Sequence, residues 1–391
     1  MSRPDLSVSH SETLQGRRLR FDRMELAGSF GDIGTLIPFL VAYIVMAGVP
    51  AMGILFAFGV ALIAIGLYYR TPFPVQPMKA AGAVVATQAG QLAITAQVVY
   101  CATLLTGLVW LLLAVTGLAK RIAALVTRPV VVGIVLGLGI GFMLQGARMI
   151  AEGWVVGGIA LFGALLLLEN RYVPVMFLLL VFGAALALIQ DPAMLGELRK
   201  LRPGFEWPQF ALRDTTWRDW SAALLFLVLP QLPLTLGNAI IAVTEENNRL
   251  FPDRPVTEQR VSATTGLMNL FGGLVGGVPM CHGAGGLAGH VRFGARTGGA
   301  PVMFGIILLV LALFFSGSVD VLLRLFPTPV LGAILFLTGV QLALGSCDFS
   351  RDKGERFVTV AVTALALWNV GIAFLFGLLA SACVRRGWIR L

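Results

Sequence analysis

The sequence predicts an all-α polytopic membrane protein of about fourteen transmembrane segments, arranged as a seven-plus-seven inverted repeat with the third and tenth segments broken. Three observations carry this reading. Of 391 residues, 57% are hydrophobic and 13% charged, where a soluble domain has about a quarter charged. Apolar runs long enough to span a bilayer, which takes about 20 residues, fill nearly the whole chain. Finally, two stretches interrupted by glycine and proline, Pro74–Ala83 and Gly276–Arg296, occupy corresponding places in the two halves.

In chain order, residues 1–22 are a polar cytoplasmic tail, read as disordered. It has no apolar h-region, so no cleaved signal peptide is expected. Apolar segments follow at about 24–47, 50–69, 74–92, 94–118, 129–147, 151–168 and 173–190. A polar connector over 191–219 carries Pro203, Pro208, Trp207 and Trp217, and is expected to include a short surface helix. The second set lies at about 220–243, 262–279, 283–300, 301–323, 328–346, 357–370 and 371–384. The last two are short and share a bend at Asn369-Val370-Gly371.

An odd number of segments per half inverts the second half, and charge provides a check. With the N-terminus cytoplasmic, only Arg148, Arg199, Lys200, Arg202, Arg213, Arg218 and Arg324 fall on the far side, and five of these lie in the long connector. The C-terminus is then cytoplasmic too. This asymmetry accounts for the net charge of +9 without invoking nucleic acid. Cys101, Cys281, Cys347 and Cys383 have no paired spacing, so neither a disulfide framework nor a metal site is expected. No nucleophile–base pair or phosphate-binding loop marks an enzyme, and no cofactor is expected.

The polar residues at membrane depth single out a site. Irregular backbone there is tolerated only where it is buried or lines a cavity. A broken helix pointing its N-terminus into a cavity offers free N–H groups and a positive dipole end to an anion. At the first break stand Gln76, Pro77, Met78, Lys79 and Ala80. Lys79 either supplies charge to an anion or snorkels to the cytoplasmic surface. At the second break stand Met280, Cys281, His282 and Gly283, and Pro-Met recurs in both. His282 lacks metal-ligand partners in sequence and reads as a hydrogen-bond donor or pH-sensitive gate. Thr235 and Asn238, with Gln231 nearby, are polar within the eighth segment; Glu245 and Glu246 close it at the surface. Asp32, in the first segment, is costly at that depth; it reads as a cation-coupling carboxylate, or else as a packing group.

Several of these stretches resemble a known family. The run from Thr244 through Asn269-Leu270 and the glycines to Pro279 is similar to sulfate permeases. Gly31-Asp-Ile-Gly-Thr-Leu-Ile-Pro38, Pro74-Val-Gln-Pro-Met-Lys-Ala80 and Pro279-Met-Cys-His-Gly-Ala-Gly-Gly286 resemble their molybdate transporter branch. The resemblance implies a fold shared with uracil permeases. Residues 23–120 and 220–323 would form a core domain (segments 1–4 and 8–11), and residues 121–190 and 324–391 a gate domain (segments 5–7 and 12–14). Asn238 takes the place of a carboxylate that many sulfate permeases carry, which leaves Asp32 as the coupling group. The C-terminal regulatory domain of sulfate permeases is not expected in a chain ending at Leu391.

The resulting expectation is a secondary transporter that imports a tetrahedral oxyanion, molybdate first, by alternating access and coupled to a proton or sodium. Its setting would be the bacterial inner membrane, with a homodimer among the assemblies allowed. Sulfate as substrate, a passive anion channel and a nucleobase permease stay open as alternatives.

Overall fold

The first apolar segment folds as two helices rather than one. α1 (Arg23–Ser29) begins at Asp22, whose side chain accepts from the amides of Met24 and Glu25, and ends at Phe30. α2 (Ile33–Ala47) follows. The division falls where Gly28 and Gly31 press on the backbone of Ala295 and Gly289, leaving no room for a side chain. These helices belong to a computed structural model that describes residues 18–31, 33–117, 127–167, 175–200, 202–319, 321, 325–344 and 350–388, so Asp32 lies outside the described residues.

The rest of the first half comprises α3 (Ala51–Tyr69), a two-residue strand β1 (Gln76–Pro77), α4 (Lys79–Gln88), α5 (Ala96–Thr116), α6 (Arg128–Ala151), α7 (Trp154–Leu167) and α8 (Val175–Gln190). The connector holds the short helix α9 (Ala193–Lys200). It then runs extended, its amides at Gly204, Glu206 and Ala211 donating to the carbonyls of Phe314, Leu313 and Leu274.

The second half opens with α10 (Trp217–Leu250), 34 residues long. Pro230 and Pro233 interrupt its ladder, since proline lacks an N–H and crowds the preceding turn. The helix absorbs them by widening into π-turns at Ala223–Val228 and Thr235–Ala242. After it come α11 (Glu258–Leu274), β2 (Met280–Cys281), α12 (Ala284–Arg292), α13 (Gly299–Phe315), α14 (Thr328–Leu344), α15 (Lys353–Trp368) and α16 (Val370–Arg385). Asn369 separates the last two, accepting from the amide of Ile372 to start α16. Each has 16 residues, so at 1.5 Å per residue each is about 24 Å long, short of a hydrocarbon core of roughly 30 Å.

Among the described residues, five helices are long and apolar enough to cross a membrane alone: α3, α5, α6, α10 and Gly299–Ser318. A sixth is counted if the bent pair formed by α8 and α9, at 112°, is one span. α7, α14 and α16 are apolar but shorter.

The helices are apolar on the outside and small on the inside. On α7, Val155, Ile159, Phe162 and Leu166 are exposed, while Gly157, Ala160 and Ala164 are buried. Lipid tails are as apolar as leucine, so close packing rather than water exclusion holds such helices together. α3 packs on α13, α5 on α11, and α6 on α14 and α15. Glycine makes each contact close. A Cβ on Gly139 would stand 2.9 Å from the Gly339 carbonyl oxygen, and one on Gly339 would stand 2.6 Å from that of Gly139. Gly146 and Gly332 repeat the arrangement lower on the same seam.

Overpacking a filled core costs about 1–3 kcal/mol or more. Gly339→Leu should therefore lower the unfolding temperature in detergent markedly. Gly158→Leu, where an added side chain meets nothing within 4 Å, should leave it nearly unchanged.

Candidate functional site

The two broken segments meet as a two-stranded antiparallel ribbon. Gln76 stands opposite Cys281 and Pro77 opposite Met280, and the ribbon is extended by Met78 N–H donating to Pro279 C=O at 2.8 Å. A half-helix leaves each strand. The outer residue of each strand lies three positions before the helix that follows, Gln76 before Lys79 and Cys281 before Ala284. Met78 and Gly283 are therefore the equivalent caps, whereas the shared Pro-Met pairs Met78 with Met280. The second helix starts later because Met280 and Cys281 are held in the strand.

Extended backbone at this depth needs partners, and side chains supply them. The chain enters β1 through Thr71-Pro-Phe-Pro-Val75, all buried. The carbonyls of Pro72 and Pro74 accept from His290 Nδ1 (2.9 Å) and His282 Nδ1 (2.8 Å). A carbonyl only accepts, so each Nδ1 carries the proton. His282 Nε2 then takes the hydroxyl of Thr264 at 3.0 Å, and Thr264 in turn is bonded to Tyr69 OH at 2.8 Å. Phe73 stacks on Tyr69 and meets the His282 ring edge-on. On the other side, Asn269 of α11 brackets β2: its Oδ1 accepts from Met280 N–H at 2.8 Å and its Nδ2 donates to Met280 C=O at 2.6 Å.

The two half-helix N-termini are unlike. At α4, Gln231 Oε1 accepts from the amides of Ala80 (2.8 Å) and Ala81 (3.1 Å), while its Nε2 donates to Thr235 Oγ1. Thr235 Oγ1 points at Met78 Sδ, 3.9 Å away. That terminus is already capped by a protein oxygen. At α12, among the described residues, no protein acceptor faces the amides of Ala284 and Gly285.

Side-chain donors gather at this second terminus. A methyl group on Gly283 would collide with Gln76 Nε2 and stand 3.3 Å from Asn238 Nδ2. One on Gly285 would stand 3.9 Å from Lys79 Nζ. Gln76 is fully buried, while Lys79 and Asn238 are half-buried. Among the described residues, no carboxylate is paired with Lys79. Glycine at 283 lets the Gln76 amide lie directly on the cap. Two amide nitrogens, an ammonium and a helix N-terminus thus converge, each able to donate, which is chemistry for an anion.

The residues singled out from sequence divide accordingly. Gln76, Lys79, Asn238 and Gly283 meet at the α12 terminus. Met78, Ala80 and Thr235 form the Gln231-capped terminus next to it. Pro77 and Met280 share the opposite ribbon face, where Met280 Cε packs toward Gly272 of α11. Cys281 is buried beside Gln76 on the donor face. His282 is fully buried and both ring nitrogens have partners within the protein, so its ring serves the scaffold. Sequence reasoning noticed Gln231 only as a polar residue and missed the bracketing role of Asn269. A Gln between two prolines and an Asn before a glycine run were the available signals.

Removing the Asn269 side chain strands two buried backbone groups, each costing about 1–3 kcal/mol. Asn269→Ala should therefore lower thermal stability by several degrees and loosen β2. Hydrogen exchange at Met280 should rise with it.

Comparisons with known proteins give the chain a family and a fold. A family described as "Molybdate transporter of MFS superfamily" matches residues 24–144 and 223–342, two stretches of nearly equal length, each containing one break. Molybdate transporter 2 of Arabidopsis thaliana is 30% identical over 413 residues, covering 92% of this chain and 87% of that protein. Molybdate transporter 1 of the same plant is 30% identical over 400 residues, covering 90% of this chain and 86% of that one. In fold, the chain resembles the transmembrane domain of a cyanobacterium bicarbonate transporter, BicA, with a TM-score of 0.63 at 16% identity, covering 95% of this chain and 98% of that one. It also resembles the murine Solute Carrier 26 family member A9 anion transporter in the inward-facing state, with a TM-score of 0.69 at 14% identity, covering 100% of this chain and 74% of that one.

Proposed function

The chain belongs to the molybdate transporter family, and from that premise we propose that it is a secondary transporter importing molybdate by alternating access. It is a multi-pass membrane protein with an anion-transporter fold. The observation that carries the substrate reading is the convergence of Gln76, Lys79 and Asn238 on the uncapped N-terminus of α12. A tetrahedral dianion offers acceptors in every direction, and each of these groups donates. No carboxylate stands at the second break to face the N–H groups of a nucleobase, which favours an oxyanion over uracil.

The anion seats on Gly283–Gly285 with Lys79 Nζ as its counter-charge. Gln231, Thr235 and Met78 hold the facing half-helix in place. The seven-plus-seven inverted repeat supports the moving parts. Segments 1–4 and 8–11 form the core that carries the site, and the remainder forms the gate. Gln88, at the end of α4, donates to Ala366 C=O at 2.7 Å and accepts from Val370 N–H, tying the core half-helix to the break between α15 and α16. That contact parts when the core rocks.

Uptake against a negative-inside potential opposes a dianion by about 2.3 kcal/mol per charge per 100 mV, or about 4.6 kcal/mol in all. Coupling to a cation offsets this, and a proton on Asp32 is the candidate, sodium the other. Both termini are cytoplasmic, the membrane is the bacterial inner membrane, and a homodimer is the assembly to look for.

Calorimetry on purified protein in detergent tests the reading. Molybdate and tungstate should bind, sulfate more weakly and uracil not at all. A charge-assisted hydrogen bond contributes about 1.5–3 kcal/mol, so Lys79→Met should weaken molybdate binding about 10- to 100-fold. Equal affinity for sulfate would make this a general sulfate-type permease. Binding of uracil alone would overturn the oxyanion assignment.

A further inference from the structure

α2 presents two aromatic side chains, one turn apart, to the half-helices. Phe39 is fixed: its ring lies against Gly82 of α4, where a Cβ would strike it, and 5.3 Å from the ring of Phe142 on α6. Tyr43 stands on the same face of α2, next along. It is completely buried, and α2 packs against β1.

Among the described residues, the Tyr43 hydroxyl has no hydrogen-bond partner. A buried hydroxyl without a partner is destabilising, and a phenylalanine would fill the space without that cost. The hydroxyl is not remote from the site. α2 packs against β1, whose Gln76 stands directly opposite Cys281 in the ribbon. Directly opposed residues of an antiparallel pair project from the same face. Tyr43, fully buried on a helix that packs on β1, is thus placed beside the ribbon whose Gln76 amide lies on the α12 cap near Asn238.

We propose that Tyr43 is a further substrate-binding residue, whose O–H donates to the oxyanion seated at the α12 terminus. This rests on the site assignment above. Among the described residues, no group around the phenol accepts its proton. The bound anion supplies one. Tyr43 joins the first segment to a site otherwise built from the third, eighth and tenth, so anion binding also clasps α2 to both half-helices.

The test is Tyr43→Phe, which removes one oxygen and keeps the ring. Unfolding temperature is read in detergent with and without molybdate, and Kd by calorimetry, with Lys79→Met measured alongside. The expected result is an unfolding temperature without ligand equal to or above that of the parent, a smaller molybdate-induced rise, and a Kd about 10-fold weaker. Unchanged Kd in Tyr43→Phe, with binding lost in Lys79→Met, would overturn the Tyr43 assignment and leave the site standing. Unchanged Kd in both variants would remove the site itself, and the role of Tyr43 with it. A fall in ligand-free stability with Kd unchanged would make the hydroxyl structural and overturn the proposal.

Discussion

Two pieces of extended backbone cross deep inside an apolar bundle, and everything near them answers to the cost of an unpaired peptide group there. The ribbon itself satisfies only part of the requirement, because Pro72, Pro74, Pro77 and Pro279 bring carbonyls without matching N–H groups. The remainder falls to side chains from distant segments. His282 and His290 close the carbonyls of Pro74 and Pro72, Asn269 closes both polar groups of Met280, and Gln231 closes two amides of α4. These four residues are buried for that reason, and each is fixed by the geometry it completes.

One place is left open, and it is the seat proposed for the anion. Of the two half-helix N-termini, α4 is filled by the Gln231 oxygen while α12 faces a cluster of donors. The asymmetry fits a lysine placed after the first break whose ammonium serves an anion proposed at the second. Lys79 is the first residue of α4, where a positive charge is unfavourable for the helix dipole, and it reaches across to Gly285. An anion there relieves both that strain and the exposed amides of α12. The same logic applies to glycine at 283, where a side chain would take the space of the Gln76 amide.

Much of this was legible because membrane sequences punish exceptions. Gln76, Lys79, Asn238 and the Gly283 cap stand out as polar or glycine interruptions in apolar runs, and the bend at Asn369 shows as an Asn-Val-Gly interruption between two short apolar segments. What sequence could not show was set by tertiary contact. The first segment divides at Gly31 because Gly289 lies against it, and the α10 π-turns follow from prolines whose effect depends on neighbours. The start of α12 at Ala284, three residues beyond the Pro-Met match, was decided by ribbon pairing. His282 looked like a site donor in sequence; its partners, Pro74 and Thr264, are far away along the chain or hidden in a helix face. Tyr43 was one aromatic among many until its hydroxyl was found unpartnered.

The central claim is a position: the oxyanion sits on the N-terminus of α12, not on that of α4. Tungstate is a heavy stand-in for molybdate, and its tungsten can be located by anomalous scattering in crystals of the protein. A single strong peak is expected within hydrogen-bonding reach of the Gly283–Gly285 backbone and Lys79 Nζ, with Gln231 still capping Ala80 and Ala81. A peak at the α4 terminus with Gln231 displaced, or one outside the crossing of the two half-helices, would contradict it.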